Sequence, residues 1–259
     1  MAEESAVGSV DVSAFHERGF TDPFRVCSGN EMREIRERID AEVLTDENPE
    51  ATPGEISSQF YRHVDSPVVY DLCSRREIVE RMRQLYGDDL MLWSTKFWEK
   101  VPGTTEVPWH QHYHHVLVDP PVTLTAWIAL TDVTVENGAM ELIPGSHDEV
   151  IPEVESPPNK SFQHMADPDE FSTDDTRRME IDAGEAFIFD ERTLHRSFEN
   201  TSEDRRRLAL TMRVTVPFAS FDPKGVGGDE ENEFTTAMML SGTNTVGKNR
   251  TIDPPTSAD

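Results

Sequence analysis

Apolar residues recur at three- and four-residue spacing in the first third of the chain. From Leu90 onward the rhythm changes to short apolar runs cut by turn residues. Met32, Ile35, Ile39 and Val43 follow Ser28-Gly29-Asn30-Glu31, a capping-box pattern, and predict an amphipathic helix over roughly 31–44. Ser74-Arg75-Arg76-Glu77 repeats the pattern and predicts a second helix carrying Ile78, Val79, Met82 and Leu85, ended by Gly87. Pro49, Pro53 and Gly54 mark a loop between the two. Residues 11–90 therefore read as a helical scaffold.

The later runs, 90–98, 107–118, 124–133, 140–143, 179–181, 186–189 and 208–216, read as short strands separated by Pro-Gly, Asn-Gly and Ala-Gly turns. Many short strands with no helices between them predict a mainly β fold with flanking helices, of the jelly-roll, double-stranded β-helix type. A single domain over 1–259 fits the length, with its β core at 90–217. The acidic, Pro-rich stretch 148–178 is too long for an ordinary connection and reads as a lid-like insertion. Residues 218–259 read as a partly mobile tail.

Charge narrows the partners. Fifty acidic residues stand against 24 basic ones, for a net charge of −26. Such a surface repels phosphate backbones and anionic lipid, so nucleic acid and membrane are not expected partners. The basic residues are mostly arginine, a balance shared by salt-adapted proteins and by plainly acidic ones. Two cysteines are too few for a disulfide framework, and no signal-peptide order or long apolar run is present, so a cytoplasmic location is expected.

The chemistry gathers in histidines. Trp109-His110-Gln111-His112-Tyr113-His114-His115 places His110 and His112 two residues apart, on one side of a strand. A third ligand far along the chain would complete a facial set with open positions for substrate and oxygen, which is the logic of a non-haem iron site. His195, after the strand at 186–189, is the candidate. By the same alternation His114 would share the face of His110 and His112. Lys96, if it shares a strand face with Trp98 and Lys100, would meet either an acidic substrate or solvent.

An ordered set of segments then carries a resemblance. Lys100-Val101-Pro102-Gly103, Pro108-Trp109-His110-Gln111, Thr125-Ala126-Trp127-Ile128-Ala129-Leu130, Glu136-Asn137-Gly138, Ile143-Pro144-Gly145-Ser146-His147, His195 with Ser197 and Asn200-Thr201-Ser202, and Arg206 together resemble the phytanoyl-CoA dioxygenase family of iron(II)- and 2-oxoglutarate-dependent oxygenases. The resemblance implies that Fe(II) and 2-oxoglutarate are the cofactors and that His110 and His195 are iron ligands. It implies that Arg206, with Ser197, clamps the far carboxylate of 2-oxoglutarate, as a guanidinium fork suits a carboxylate. Arg205 and Arg207 would then face the other way, as solvated charges. It places Trp127 in the pocket wall or core and His115 near the pocket mouth. Asn137-Gly138 and Pro144-Gly145 read as turns, with His147 in the second of them.

One departure stands out. The family pattern is His-Gln-Asp, and this chain has His-Gln-His, so His112 replaces the carboxylate ligand. Halogenating relatives put Gly or Ala there to free a place for halide, which histidine does not do. A neutral imidazole still binds Fe(II). Three readings remain: oxidation of a small organic metabolite with 2-oxoglutarate and O2, most simply hydroxylation at a C–H bond; direct dioxygenation by a three-histidine iron site without 2-oxoglutarate; and a ligand-binding protein that lost catalysis with its aspartate.

Overall fold

A computed structural model describes residues 8–45, 59–115, 118–221 and 236–256. Four helices open the chain: α1 (Val12–Arg18), α2 (Gly29–Glu42), α3 (Pro67–Cys73) and α4 (Arg76–Tyr86). The Ser28 hydroxyl accepts from the Glu31 N–H at 3.2 Å, so the predicted cap of α2 forms. The second cap does not. Arg75 is the N-cap of α4 without a side-chain bond, and the Ser74 hydroxyl turns back to the Asp71 carbonyl. Helix α3 escaped the sequence reading because it is only seven residues long, too short for a clear period. The loop expected around Pro49 to Gly54 lies outside the described residues.

The strands are β1 (Phe24–Arg25), β2 (Leu90–Lys100), β3 (Val107–His110), β4 (Val118–Asp119), β5 (Leu124–Ala129), β6 (Met140–Leu142), β7 (Glu153–Glu155), β8 (His164–Ala166), β9 (Arg177–Met179), β10 (Glu185–Asp190), β11 (His195–Ser197), β12 (Arg207–Thr215), β13 (Ser220–Phe221), β14 (Thr236–Ser241) and β15 (Arg250–Thr251). They form a seven-stranded sheet, β1-β10-β5-β12-β2-β14-β15, and a four-stranded sheet, β3-β11-β6-β9. The insertion at 148–178 contributes the β7–β8 hairpin and most of β9. Part of the expected tail is not loose. Residues 236–241 pair with β2 as β14, because Ala237 and Met238 are buried there.

Alternation explains the layering. On one face of the large sheet, Ile128, Ile188, Leu208, Leu210 and Met212 pack with Met32, Ile39, Leu72, Ile78 and Met82 of the helices. On the other face, Trp127, Ala129, Phe187, Phe189 and Ala209 pack with Met140, Leu142 and Met179 of the small sheet. Both faces are covered, so β5 and β10 are buried on both sides and read in the sequence as nearly continuous apolar runs. A pocket between the sheets is lined by His110 of β3 and His195 of β11 together with Trp127 and Phe189 of the large sheet. No helix among the described residues is long and apolar enough to cross a membrane.

Candidate metal centre

His110 ends β3 and His195 begins β11, and the two residues face each other across the ladder. Their ring centroids lie 4.1 Å apart. His112 joins them by a different route from the one the spacing predicts. The strand expected over 107–118 stops at His110, and His112–His115 form a 3-10 turn. Buried Gln111 explains the break. Its amide nitrogen donates to the carbonyls of Glu149 (2.8 Å) and Arg192 (2.6 Å), and its oxygen accepts from the Ile151 N–H (2.9 Å). The His112 N–H then donates to the Glu191 carbonyl at 2.8 Å. The turned backbone carries the His112 ring to 4.6 Å from that of His195, nearly perpendicular to it.

The three rings suit a metal. All three histidines are buried, and each offers a nitrogen within 4.8 Å of those of the other two. His110 Nδ1–H donates to the Pro108 carbonyl at 2.9 Å and His195 Nδ1–H to the Thr193 carbonyl at 2.8 Å. A carbonyl only accepts, so both rings carry their proton on Nδ1 and keep the Nε2 lone pair for a ligand. Burial pushes His195 down to about 4 and His112 well below its ordinary range, with the Arg213 charge adding to both. Both imidazoles are neutral at pH 7, the form that binds metal.

The pocket beside the histidines is lined by Trp98, Trp127, Phe189, Ser197, Arg207 and Thr211 among others. Here the structure corrects the arginine assignment. Arg206, expected to clamp a carboxylate, points outward, where Nη1 pairs with Asp40 of α2 at 2.9 Å and Nε pairs with Glu99 of β2. Arg207, expected at the surface, is 1% exposed. Its guanidinium lies 5.5 Å from the Trp127 ring centre, Nη1 donates to the Trp98 carbonyl at 3.3 Å, and Nε has no partner. Burial lowers it to about 9, so it stays charged. The Ser197 hydroxyl is buried and also unpartnered. An orphaned hydroxyl and an orphaned guanidinium N–H lining one pocket fit a bound carboxylate.

The remaining candidates separate. His114 turns to the insertion, its Nε2 2.8 Å from the Ile151 carbonyl, because the 3-10 turn cancels strand alternation. The side chain of His115 lies outside the described residues. His147 is buried against α1, its Nε2 3.1 Å from the His16 carbonyl, away from the three-histidine cluster. Arg205 pairs with Glu136 at the surface. Gly138 makes the expected turn at φ +101°, and a Cβ there would meet the Lys100 side chain at 2.7 Å. Lys96 lies over the Trp98 ring, and burial followed by the Arg213 charge lowers it to about 7.

Three roles carry no clear signal in the sequence pattern. Glu191 is 1% exposed with both carboxylate oxygens unpartnered, and burial, then Asp190, push it up to about 8. Gln111 sets the turn. Phe162, from the insertion, stands edge-on to His110 with ring centroids 4.9 Å apart. Only its place in a long acidic insertion hinted at the last of these.

Residues 15–208 match the sequence model of the phytanoyl-CoA dioxygenase family. The ectoine dioxygenase of Nocardia farcinica is 28% identical over 249 residues, covering 84% of this chain and 83% of that protein. The L-proline trans-4-hydroxylase of Streptomyces griseoviridis is 28% identical over 208 residues, covering 71% and 77%. The apo form of the non-haem monooxygenase ThoJ matches with a TM-score of 0.78 at 20% identity, over 95% of this chain and 88% of that one. CytC3 with Fe(II) and alpha-ketoglutarate matches with a TM-score of 0.70 at 24% identity, over 93% and 92%. At these identities the structural likeness establishes the shared fold.

Proposed function

The chain belongs to the phytanoyl-CoA dioxygenase family, and from that premise we propose that it is an iron(II)- and 2-oxoglutarate-dependent oxygenase of a small organic molecule, with His110, His112 and His195 as its metal ligands. The observation that carries this reading is the convergence of three buried histidines beside a pocket holding an unpartnered serine hydroxyl and a buried arginine. Curated relatives are named for small substrates, ectoine, hypophosphite and L-proline among them. Two unpaired cysteines, Cys27 and Cys73, support a cytoplasmic setting.

Iron with 2-oxoglutarate, once bound, supplies the activation of O2 that ends in oxidation of a substrate C–H bond. The protein's own residues set the conditions. The carbonyls of Pro108 and Thr193 fix the tautomer and direction of His110 and His195. Gln111 fixes the turn that delivers His112. Arg207 and Ser197 would hold the distal carboxylate of 2-oxoglutarate, and Trp127 backs the guanidinium. Phe187, Phe189 and Trp127 form an apolar floor and Phe162 stands edge-on to His110 from the insertion, an apolar lining that disfavours water beside the centre.

Exchange of Asp for His at 112 leaves a wholly neutral ligand set. The Ser197 and Arg207 arrangement favours 2-oxoglutarate use over direct dioxygenation, which needs no carboxylate clamp. The test is release of labelled CO2 from 2-oxoglutarate labelled at its 1-carboxylate. Fe(II)-dependent release is expected, abolished by His195→Ala. Equal release without added iron or with His195→Ala refutes the reading.

A further inference from the structure

The ladder between β2 and β12 carries cations at both ends of its inner face. Its register pairs Lys100 with Arg207, Trp98 with Ala209, Lys96 with Thr211 and Ser94 with Arg213. Alternation puts all of these on the side facing the small sheet. At the first end, Lys100 is satisfied by the carbonyls of Thr105 and Phe198, and Arg207 lines the pocket described above. Trp98 and Thr211, joined by a 3.0 Å hydrogen bond from the indole N–H, stand in the middle. Lys96 and Arg213 lie beyond them. Arg213 lies six residue steps from Arg207, about 20 Å along β12.

Lys96 and Arg213 make no ion pair or hydrogen bond through their side chains among the described residues. Lys96 Nζ lies 3.5 Å from the Trp98 ring centre and 4.5 Å from that of Phe60, and the Arg213 guanidinium lies 5.8 Å from that of Trp93. Glu191, the acid that acts on Arg213, forms no ion pair with it, and its oxygens have no partner. This is unusual in a chain with 50 acidic residues, where Arg18, Arg25, Arg196 and Arg206 all pair with carboxylates. Neither basic group has a carboxylate partner, and burial with the Arg213 charge disfavours the charged form of Lys96, a cost that a bound anion offsets. They also sit beside the metal centre. Arg213 is opposite Thr125 on β5, whose hydroxyl is 3.5 Å from His112 Nδ1.

We propose that Lys96 and Arg213 form a second anion subsite, distinct from the Ser197 and Arg207 clamp, which holds a carboxylate of the substrate that is oxidised. The proposal rests on the oxygenase reading and names the substrate class, a small organic acid held by its carboxylate between the two cations, with the carbon chain directed to the histidine centre.

The test is calorimetric titration, under argon, of the protein loaded with Fe(II) and 2-oxoglutarate. The probes are small carboxylates from acetate to benzoate and L-proline, each against its primary amide. At least one acid is expected to bind about tenfold more tightly than its amide, the scale of a charge-assisted pair. Lys96→Met and Arg213→Met should each erase that preference, and Lys96→Arg should keep it. All three variants should bind 2-oxoglutarate within about twofold of the parent, since Arg207 is untouched. If no acid is preferred over its amide, the subsite is overturned. If the methionine variants lose 2-oxoglutarate affinity instead, the two cations serve the co-substrate and the proposal is equally overturned. Failure of the parent protein to bind 2-oxoglutarate in the loading step refutes the oxygenase reading itself, and the subsite with it.

Discussion

Arg206 and Arg207 are consecutive in the chain and serve opposite sides of the large sheet. Arg206 is tied to Asp40 and Glu99 on the helix side, whereas Arg207 is buried beside Trp127 on the side of the histidines. One is a surface ion pair. The other is a cation with an N–H left open in a pocket. Arg207→Met should therefore raise the dissociation constant for 2-oxoglutarate at least about tenfold, since a buried charge-assisted pair contributes about 1.5–3 kcal/mol. Arg206→Met should change it less than about twofold, because exposed pairs contribute about 0–1 kcal/mol. Calorimetry on both variants checks the pair.

Substitutions at His112 separate ligation from scaffold. His112→Ala removes one of three nitrogens and should weaken Fe(II) binding by more than about 100-fold, beyond the roughly 10–100-fold that loss of an outer hydrogen bond costs. His112→Asp restores an anionic oxygen ligand and should retain the metal. Fe(II) affinities measured with a competing chelator check this, and unchanged affinity in His112→Ala would remove His112 from the ligand set.

Glu191 makes stability depend on pH. Its carboxyl is held up at about 8 in the fold by burial first, then by Asp190, against an ordinary value of 4.5. The unfolded chain ionises there near 4.5 and the folded chain does not. The advantage of the neutral acid is complete below about 4.5 and disappears as pH rises through about 8. Glu191→Gln should therefore gain stability relative to the parent as pH rises from 5 to 8, by more than about 1 kcal/mol at pH 8. Urea unfolding at the two pH values reads the difference, and a constant offset would contradict it.

Phe162 tests the insertion as a cover. It is held by Thr105 with Ser161 at 2.9 Å and by the pair of Lys160 with Glu106, and it meets His110 and Trp98. Phe162→Ala should raise substrate-free consumption of 2-oxoglutarate by about twofold or more, because water and O2 reach the centre. The thermal midpoint should move by less than about 3 °C, since the cover is outside the core. Oxygen uptake and thermal melts measure the two.

Much of this was legible in the chain. The capped period of α2, the short apolar runs, and His110, His112 and His195 all emerge from pattern and spacing. One error comes from extending strand alternation past the end of a strand. The run 107–118 keeps its apolar and aromatic character, but the hydrogen bonds of the buried Gln111 amide break it after His110, so His112 arrives by a 3-10 turn and His114 leaves for Ile151. Three consecutive arginines, 205 to 207, offer no marker of which one faces inward, since side-chain type is identical and only the register against β2 decides. Glu191 was hidden because a buried acid without partners looks, in sequence, like any acid in a loop.

The central claim is that His110, His112 and His195 hold iron(II) and present it to 2-oxoglutarate. Anaerobic titration of the metal-free protein with Fe(II) and then 2-oxoglutarate tests it most directly. A visible absorption band of the chelated 2-oxo acid should appear at one equivalent of iron, fade on exposure to oxygen, and be absent from His195→Ala. Iron binding with no such band would contradict the account, and no iron binding would contradict it at the ligands themselves.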